Sequence, residues 1–232
     1  MLLATPGVDS ARRADGADGG DDDDDEAAAP TRLVTLLARP PTAQATLLAV
    51  AFFLPVGFYE TIWAKHSTNL GGSSTVIALS VALYGLPYML VAPIGGRLGD
   101  RIGSARLAQR GTIGLVAITA VTGIPRGYWI LIGLGVIEAV ISAVAYPNAQ
   151  AAMSRACAPS EKATGQGLAG AASIAGAGAM VLLAGLLFEF GGATVAFAAT
   201  AALVGLGAGA AAVIGGRVGR PEPIGPPISD RG

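Results

Sequence analysis

Apolar and polar positions along this chain separate into long blocks instead of alternating residue by residue. Six stretches, 45–64, 76–94, 107–124, 128–151, 164–188 and 193–214, are apolar nearly throughout, and polar residues gather between them. A bilayer core of about 30 Å takes roughly 20 apolar residues as an α-helix, so each stretch is predicted to cross a membrane. The third carries Arg110, whose long stem lets its guanidinium reach the headgroups from near a helix end. Pro55, Pro87 and Pro147 interrupt the first, second and fourth stretches. Membrane helices tolerate proline where neighbouring helices satisfy the freed carbonyls. The expectation is an all-α polytopic integral membrane protein with a six-helix domain over 44–216. A disordered acidic tail (1–43) would precede it and a short tail (217–232) would follow.

Composition supports this class. The 232 residues are 52% hydrophobic and only 13% charged, with a mean hydropathy of +0.58, whereas soluble domains carry about 25% charge. Nine of the sixteen acidic residues lie in 1–43. A formal net charge of −1 gives nucleic acid no electrostatic hold, so no nucleic-acid partner is expected. Cys157 is the single cysteine, which excludes an internal disulfide and a cysteine metal site. The acidic run 21–26 is read as tail, because calcium needs a shaped loop, and neither metal nor cofactor is expected. The N-terminus is too short in apolar residues for a signal peptide.

Arginine placement sets the orientation. With the N-terminus inside, Arg32, Arg39, Arg97, Arg101, Arg106, Arg110, Arg155, Lys162, Arg217 and Arg220 are cytoplasmic, and only Lys65 and Arg126 face out. This positive-inside bias predicts a multi-pass plasma-membrane protein with both termini cytoplasmic. Glycines crowd the last two stretches, including Gly165, Gly167, Gly170, Gly176, Gly178 and Gly185. Small residues allow close helix approach in lipid; the same glycines would also suit a helix that rocks beside a pore.

Candidate chemistry inside the membrane centres on Glu138. It lies ten residues into the fourth stretch, roughly 15 Å along the helix and near the midplane. An ionised carboxylate there costs at least about 2.5 kcal/mol, and no basic residue lies mid-span to neutralise it. Glu138 is therefore read either as a site for a proton or a cationic substrate, or as a protonated side chain bonded to a neighbouring helix. Glu60 is read as the edge of an outer vestibule or a wet interfacial carboxylate, with Tyr59 and Trp63 as interfacial anchors. Tyr84, Asn148 and Gln150 are candidates for a polar path, the last two also for bonds across helices. His66, the one histidine, falls in an outer loop with exposure as the default. Gly71-Gly72-Ser73-Ser74 is no rhomboid signature, and His66 is badly placed for a Ser-His pair, so an enzyme is not expected. Pro147-Asn148-Ala149 is not the repeated Asn-Pro-Ala of aquaporins.

The polar block between the second and third stretches reads Gly95-Gly96-Arg97-Leu98-Gly99-Asp100-Arg101-Ile102-Gly103. Charge and glycine so close to two apolar runs predict a tight turn at the membrane surface, with Asp100 capping the third helix. Gly96, Asp100, Arg101 and Gly103 resemble the signature loop between the second and third spans of the major facilitator superfamily of transporters. The resemblance covers roughly 45–220, and it implies a cytoplasmic latch in which Asp100 and Arg101 meet helix ends, with Arg155 as partner. Where the family has two basic residues after the last glycine, this chain has Ser104-Ala105, and Arg106 and Arg110 stand nearby.

The family has twelve spans in two halves related by an axis along the membrane normal, so this chain resembles one half. The acidic leader and the end soon after the sixth span are read as favouring the C-terminal half. The resemblance implies alternating-access transport of a small solute, proton-coupled through Glu138, with efflux of drugs or metabolites as the direction. Its partners would be the lipid bilayer, the solute, protons, and either a parallel homodimer copy or a separate six-span half. The alternative is a truncated remnant that does not transport, or a partner subunit of a split transporter.

Overall fold

A computed structural model describes residues 33–124 and 127–218. Contacts divide the chain into units 1–35 and 36–232. Of the first, residues 33–35 are described and are helical; everything below concerns the second. Residues 36–38 and 40–43 are also helical, so the described part of the segment expected to be an unstructured tail is ordered. The rest of that tail, and the tail after 218, lie outside the described residues.

No strand occurs among the described residues. Helix α1 (Pro40–Asn69) opens on the Pro40-Pro41 pair, which suits the first turn because those amides have no intrahelical partner. It ends where Gly71 takes a positive φ of 89°. Ser73 then caps α2 (Ser74–Ile102), its side chain accepting from the Val76 N–H. Helix α3 spans Ser104–Thr122 and α4 spans Tyr128–Ala156. After a 3₁₀ turn at Pro159–Glu161, one 57-residue helical run, Lys162–Val218, is broken at Gly192 (φ 68°, ψ −176°). Straight, that run would reach about 85 Å. It folds back instead: Met180, Ala184 and Phe188 before the break share one buried cluster with Ala196 and Phe197 after it. The two limbs are α5 (162–191) and α6 (193–218).

Four helical runs are long and apolar enough to cross a membrane: Pro40–Asn69, Ser74–Ile102, Tyr128–Ala156 and Pro159–Gly216. Ser104–Thr122 is not among them, and Arg106, Gln109 and Arg110 occupy its first two turns. At 29 or 30 residues, α1, α2 and α4 are each about 43–45 Å long and overshoot a 30 Å hydrocarbon core, which calls for tilt or protrusion.

Buried residues stack in tiers along α1. Leu36, Ala45 and Ala49 pack with Ala152, Met153, Cys157 and Ala169; Leu48 meets Ala108, Ala149 and Ala211. Phe52 meets Leu115, Ile118 and Ala145, and Phe58 and Ile62 join the α5–α6 turn. Alanine dominates these tiers because close backbone approach, not expulsion of apolar surface from water, holds helices together in lipid. Large apolar side chains such as Met89, Leu90 and Ile94 on α2, Leu182 on α5 and Leu206 on α6 point outward, as a lipid-facing surface requires.

The block read as a glycine-rich loop is not a loop. Residues 95–102 are the last two turns of α2, and the turn to α3 is Gly103 alone, at φ 95° and ψ 122°. Gly103 bonds both ways: its N–H donates to the Gly99 carbonyl and its carbonyl accepts from the Leu107 N–H, each at 3.0 Å. One residue can end one helix and start the next only where a positive φ costs nothing, which requires glycine. Asp100 is therefore in the last turn of α2 and does not cap α3, which has no side-chain cap.

Candidate functional site

Helices α1 to α4 enclose a cleft of about 560 Å³. Helix α1 supplies Tyr59, Glu60 and Trp63; α2 supplies Ser80, Tyr84 and Tyr88; α3 adds Leu115; α4 supplies Gly135, Glu138, Ser142 and Tyr146. The spacings are helical. Ser80, Tyr84 and Tyr88 recur every four residues, and Gly135, Glu138, Ser142 and Tyr146 follow steps of three and four, so each set lies on one helix face.

Aromatic packing shapes the walls. Phe52 stacks on Tyr146 with centroids 5.1 Å apart, and Tyr59 meets Trp63 edge-on at 5.8 Å. The Trp63 indole N–H donates to the Ser80 hydroxyl at 2.8 Å, tying α1 to α2. A Cβ on Gly135 would stand 3.1 Å from the Trp63 ring, so glycine there gives the indole its place against α4.

Glu138 is 5% exposed, and among the described residues no basic side chain pairs with it. The Tyr59 hydroxyl lies within reach of the Glu138 carboxyl and of the Thr119 and Thr122 hydroxyls, yet it is fully buried without hydrogen-bond geometry to any of them. Tyr84 lies near Glu138 and Ser142. A carboxyl held among phenols and aromatic faces, with no fixed cation, can take a proton or an organic cation.

Three of the five residues expected on the path, Glu138, Glu60 and Tyr84, do line the cleft; Glu60 is exposed at its edge. Asn148 and Gln150 do not. The Asn148 amide donates to the carbonyls of Gly95 at 2.9 Å and Val144 at 2.8 Å. A Cβ on Gly99 would collide with that amide, so two α2 glycines let α2 press against α4. The Gln150 side-chain amide donates to the Tyr146 hydroxyl at 3.1 Å, and the Gln150 backbone carbonyl accepts from the Gln166 side-chain amide at 2.9 Å. Both residues bond between or along helices, as uncharged polar groups in a membrane do.

Two other readings change. Tyr59 is no interfacial anchor, since its hydroxyl turns inward. His66 is not exposed: it is 2% accessible, its ring lying 5.2 Å from that of Phe197. Tyr88, Ser142 and Tyr146 also line the cleft, and their spacing of four from Tyr84, Glu138 and one another is the signal that marks them in the sequence; Tyr59 and Trp63, on α1, carry no such signal.

The expected contact between Asp100 and Arg155 is present. Arg155, at the end of α4, meets Asp100 at 2.6 Å and donates to the Ser104 hydroxyl at 3.1 Å. Ser104, the first of the two residues standing where the family has its basic pair, thus joins the contact. Arg101 is exposed and Gly96 has open space where a Cβ would stand. A second pair, Arg39 with Glu161 at 2.7 Å, ties the start of α1 to the turn before α5. The Asp100–Arg155 side chains are 70% and 50% exposed, and exposed pairs contribute about 0.2–1 kcal/mol. Asp100→Asn is therefore expected to lower stability in detergent by no more than about 1 kcal/mol. A loss several times larger in a chemical unfolding series would show that the pair is shielded in the membrane.

The sequence pattern of the Major Facilitator Superfamily matches residues 42–230. The chain belongs to this family. Its members are membrane transporters, and the all-helical fold with long apolar helices agrees. The chain is also 28% identical over 121 residues to a Streptomyces coelicolor protein named "Probable actinorhodin transporter". That alignment covers 52% of this chain and spans 21% of the relative's length.

Proposed function

We propose that this chain is a six-span half of a major facilitator transporter, working in the plasma membrane with both termini cytoplasmic. It moves a small organic solute by alternating access, coupled to protons through Glu138, in the direction of export. The observation that carries this reading is a buried carboxyl with no basic partner, facing a cleft walled by tyrosine, tryptophan and phenylalanine. A carboxylate at that depth favours either a proton or an organic cation, and exchanging the two is the simplest coupling. Membership of a transporter family and a relative named as a transporter support it.

Ser104–Thr122 serves as the third span, its arginines at the cytoplasmic end, and the two limbs around Gly192 serve as the fifth and sixth. The Asp100–Arg155 contact holds this end of α2 and α4 together in one state of the cycle. Family halves are related by an axis along the membrane normal, so a second copy can pair in parallel and complete the path; a separate six-span half would do the same.

The test uses the purified full chain in liposomes with an acidic interior and ethidium outside. The expected result is ethidium accumulation above empty liposomes that collapses when the pH gradient is dissipated, with cross-linking that traps pairs of chains. No accumulation from a strictly monomeric preparation would favour the non-transporting remnant or partner subunit instead.

A further inference from the structure

A second cavity, about 500 Å³, lies at the α1 end that bears His66 and is lined by Lys65, His66, Asn69, Glu189 and Gly192. The Glu138 cleft is lined on the same helix by Tyr59 and Trp63, two turns and one turn before His66. The stretch of the bundle around them holds buried polar groups. Thr119 is 0%, Thr122 2% and His66 2% exposed, and three of its polar atoms, the Tyr59 hydroxyl, Thr119 Oγ1 and His66 Nε2, are fully buried without a hydrogen-bond partner. They are not scattered. Tyr59 reaches Glu138, Thr119 and Thr122, and His66 reaches the Thr122 backbone.

A buried polar atom without a partner is costly, so three around one stretch of the bundle call for a reason. Apolar isosteres would fill the same space at no such cost: phenylalanine for Tyr59, valine for Thr119. Internal water bridging two or more polar groups is a usual way to relieve this cost. An imidazole, hydroxyls and water in series also make a proton wire.

We propose that His66, Thr119 and Tyr59, bridged by internal water, form a relay that carries protons between the His66-side cavity and Glu138. His66 takes up a proton on the ring nitrogen nearer its cavity and releases one from Nε2 into the hydroxyls and water. The Tyr59 hydroxyl gives its proton to the Glu138 carboxylate and regains one from the Thr119 side; the hydroxyls return to their starting state, and the imidazole, left as its other tautomer, is reset by a ring flip before the next proton. The neighbours leave this route uncluttered. On α1, Lys65 holds its ammonium over the Phe188 ring at 5.3 Å, and Glu60 sits at the edge of the cleft. Glu189 of α5 lines the His66-side cavity, and α2 brings Tyr84 to Glu138. Among the described residues α3 and α6 present no carboxylate or basic group to the relay.

The relay rests on the proposed role of Glu138 as proton site, and the test separates the two. Full-length protein in liposomes is given an acid jump from the His66 end. Protonation of Glu138 is then followed by its infrared carboxyl band, assigned as the band that Glu138→Gln removes. Tyr59→Phe, Thr119→Val and His66→Gln are each expected to slow that band at least about tenfold. The rate after a jump from the opposite end should stay unchanged. Wild-type rates in all three variants would overturn the relay while leaving Glu138 as a proton site. Equal slowing from both ends would also overturn it, marking a general disturbance of the bundle. If no band is lost in Glu138→Gln, Glu138 does not titrate, and the proton reading and the relay fall together.

Discussion

Glu138→Gln is expected to reduce proton-driven ethidium accumulation at least about tenfold and to remove its dependence on pH. The change keeps side-chain volume and hydrogen bonding but takes away the titrating group. Its effect on stability should have the opposite sign. Placing an ionised carboxylate in a membrane interior costs at least about 2.5 kcal/mol, and glutamine carries no such cost. Thermal unfolding in detergent should therefore show the variant as stable as the parent, and more stable at alkaline pH where the parent's carboxylate would have to ionise. A protein that is folded but uncoupled is the signature of a functional carboxyl. Wild-type flux with an unaltered pH profile would remove Glu138 from the mechanism, and reduced flux with marked destabilisation would make it a structural residue.

Gly57→Ala is expected to destabilise the bundle by about 1–3 kcal/mol or more. A Cβ at Gly57 would collide with the Ala177 carbonyl oxygen and stand 2.9 Å from the Ala177 Cα. Both are backbone atoms and cannot swing aside, so α1 and α5 would have to part along their shared seam. Gly178→Ala is the matched control on α5, because nothing lies within 4 Å of its Cβ position. It should change stability by less than about 0.5 kcal/mol, or raise it slightly as helical glycine is replaced. Equal effects of the two substitutions in the same unfolding assay would contradict the packing described here.

That contrast shows where the sequence was legible. Block hydrophobicity located the helices, and four of the runs are long and apolar enough to cross a membrane, because lipid demands long apolar runs whatever their partners. It could not say which glycines touch. Helix α5 is glycine-rich, but Gly167, Gly170, Gly178 and Gly185 have open space where a side chain would begin. The closest approach to another helix's backbone falls instead on Gly57 of α1, in a stretch where it is the only glycine between 45 and 64. Close approach depends on which helices neighbour each other, and that is a property of the assembled bundle.

The candidate site followed the same rule. Glu138 stood out because an ionisable group in an apolar run is costly by itself, and the Asp100–Arg155 contact followed from two charged helix ends placed at one surface. Asn148 looked just as polar, but its amide is taken up by the Gly95 carbonyl of α2, a partner 53 residues away. His66 was read as exposed because it follows the apolar stretch; α1 runs on to Asn69, and the α5–α6 turn covers it with Phe188 and Phe197. The loop at 95–103 proved to be helix up to one glycine, since α2 runs past the apolar stretch.

Alternating access is the central claim, and sided labelling of the cleft tests it most directly. Tyr84 lines the cleft beside Glu138, and Cys157→Ser frees the background of its one thiol. In the Tyr84→Cys, Cys157→Ser protein, reconstituted with known orientation, a membrane-impermeant maleimide is applied from one side at a time under opposite pH gradients. The account predicts labelling from the outer face under one gradient and from the cytoplasmic face under the other. Labelling confined to the same face under both gradients would contradict it.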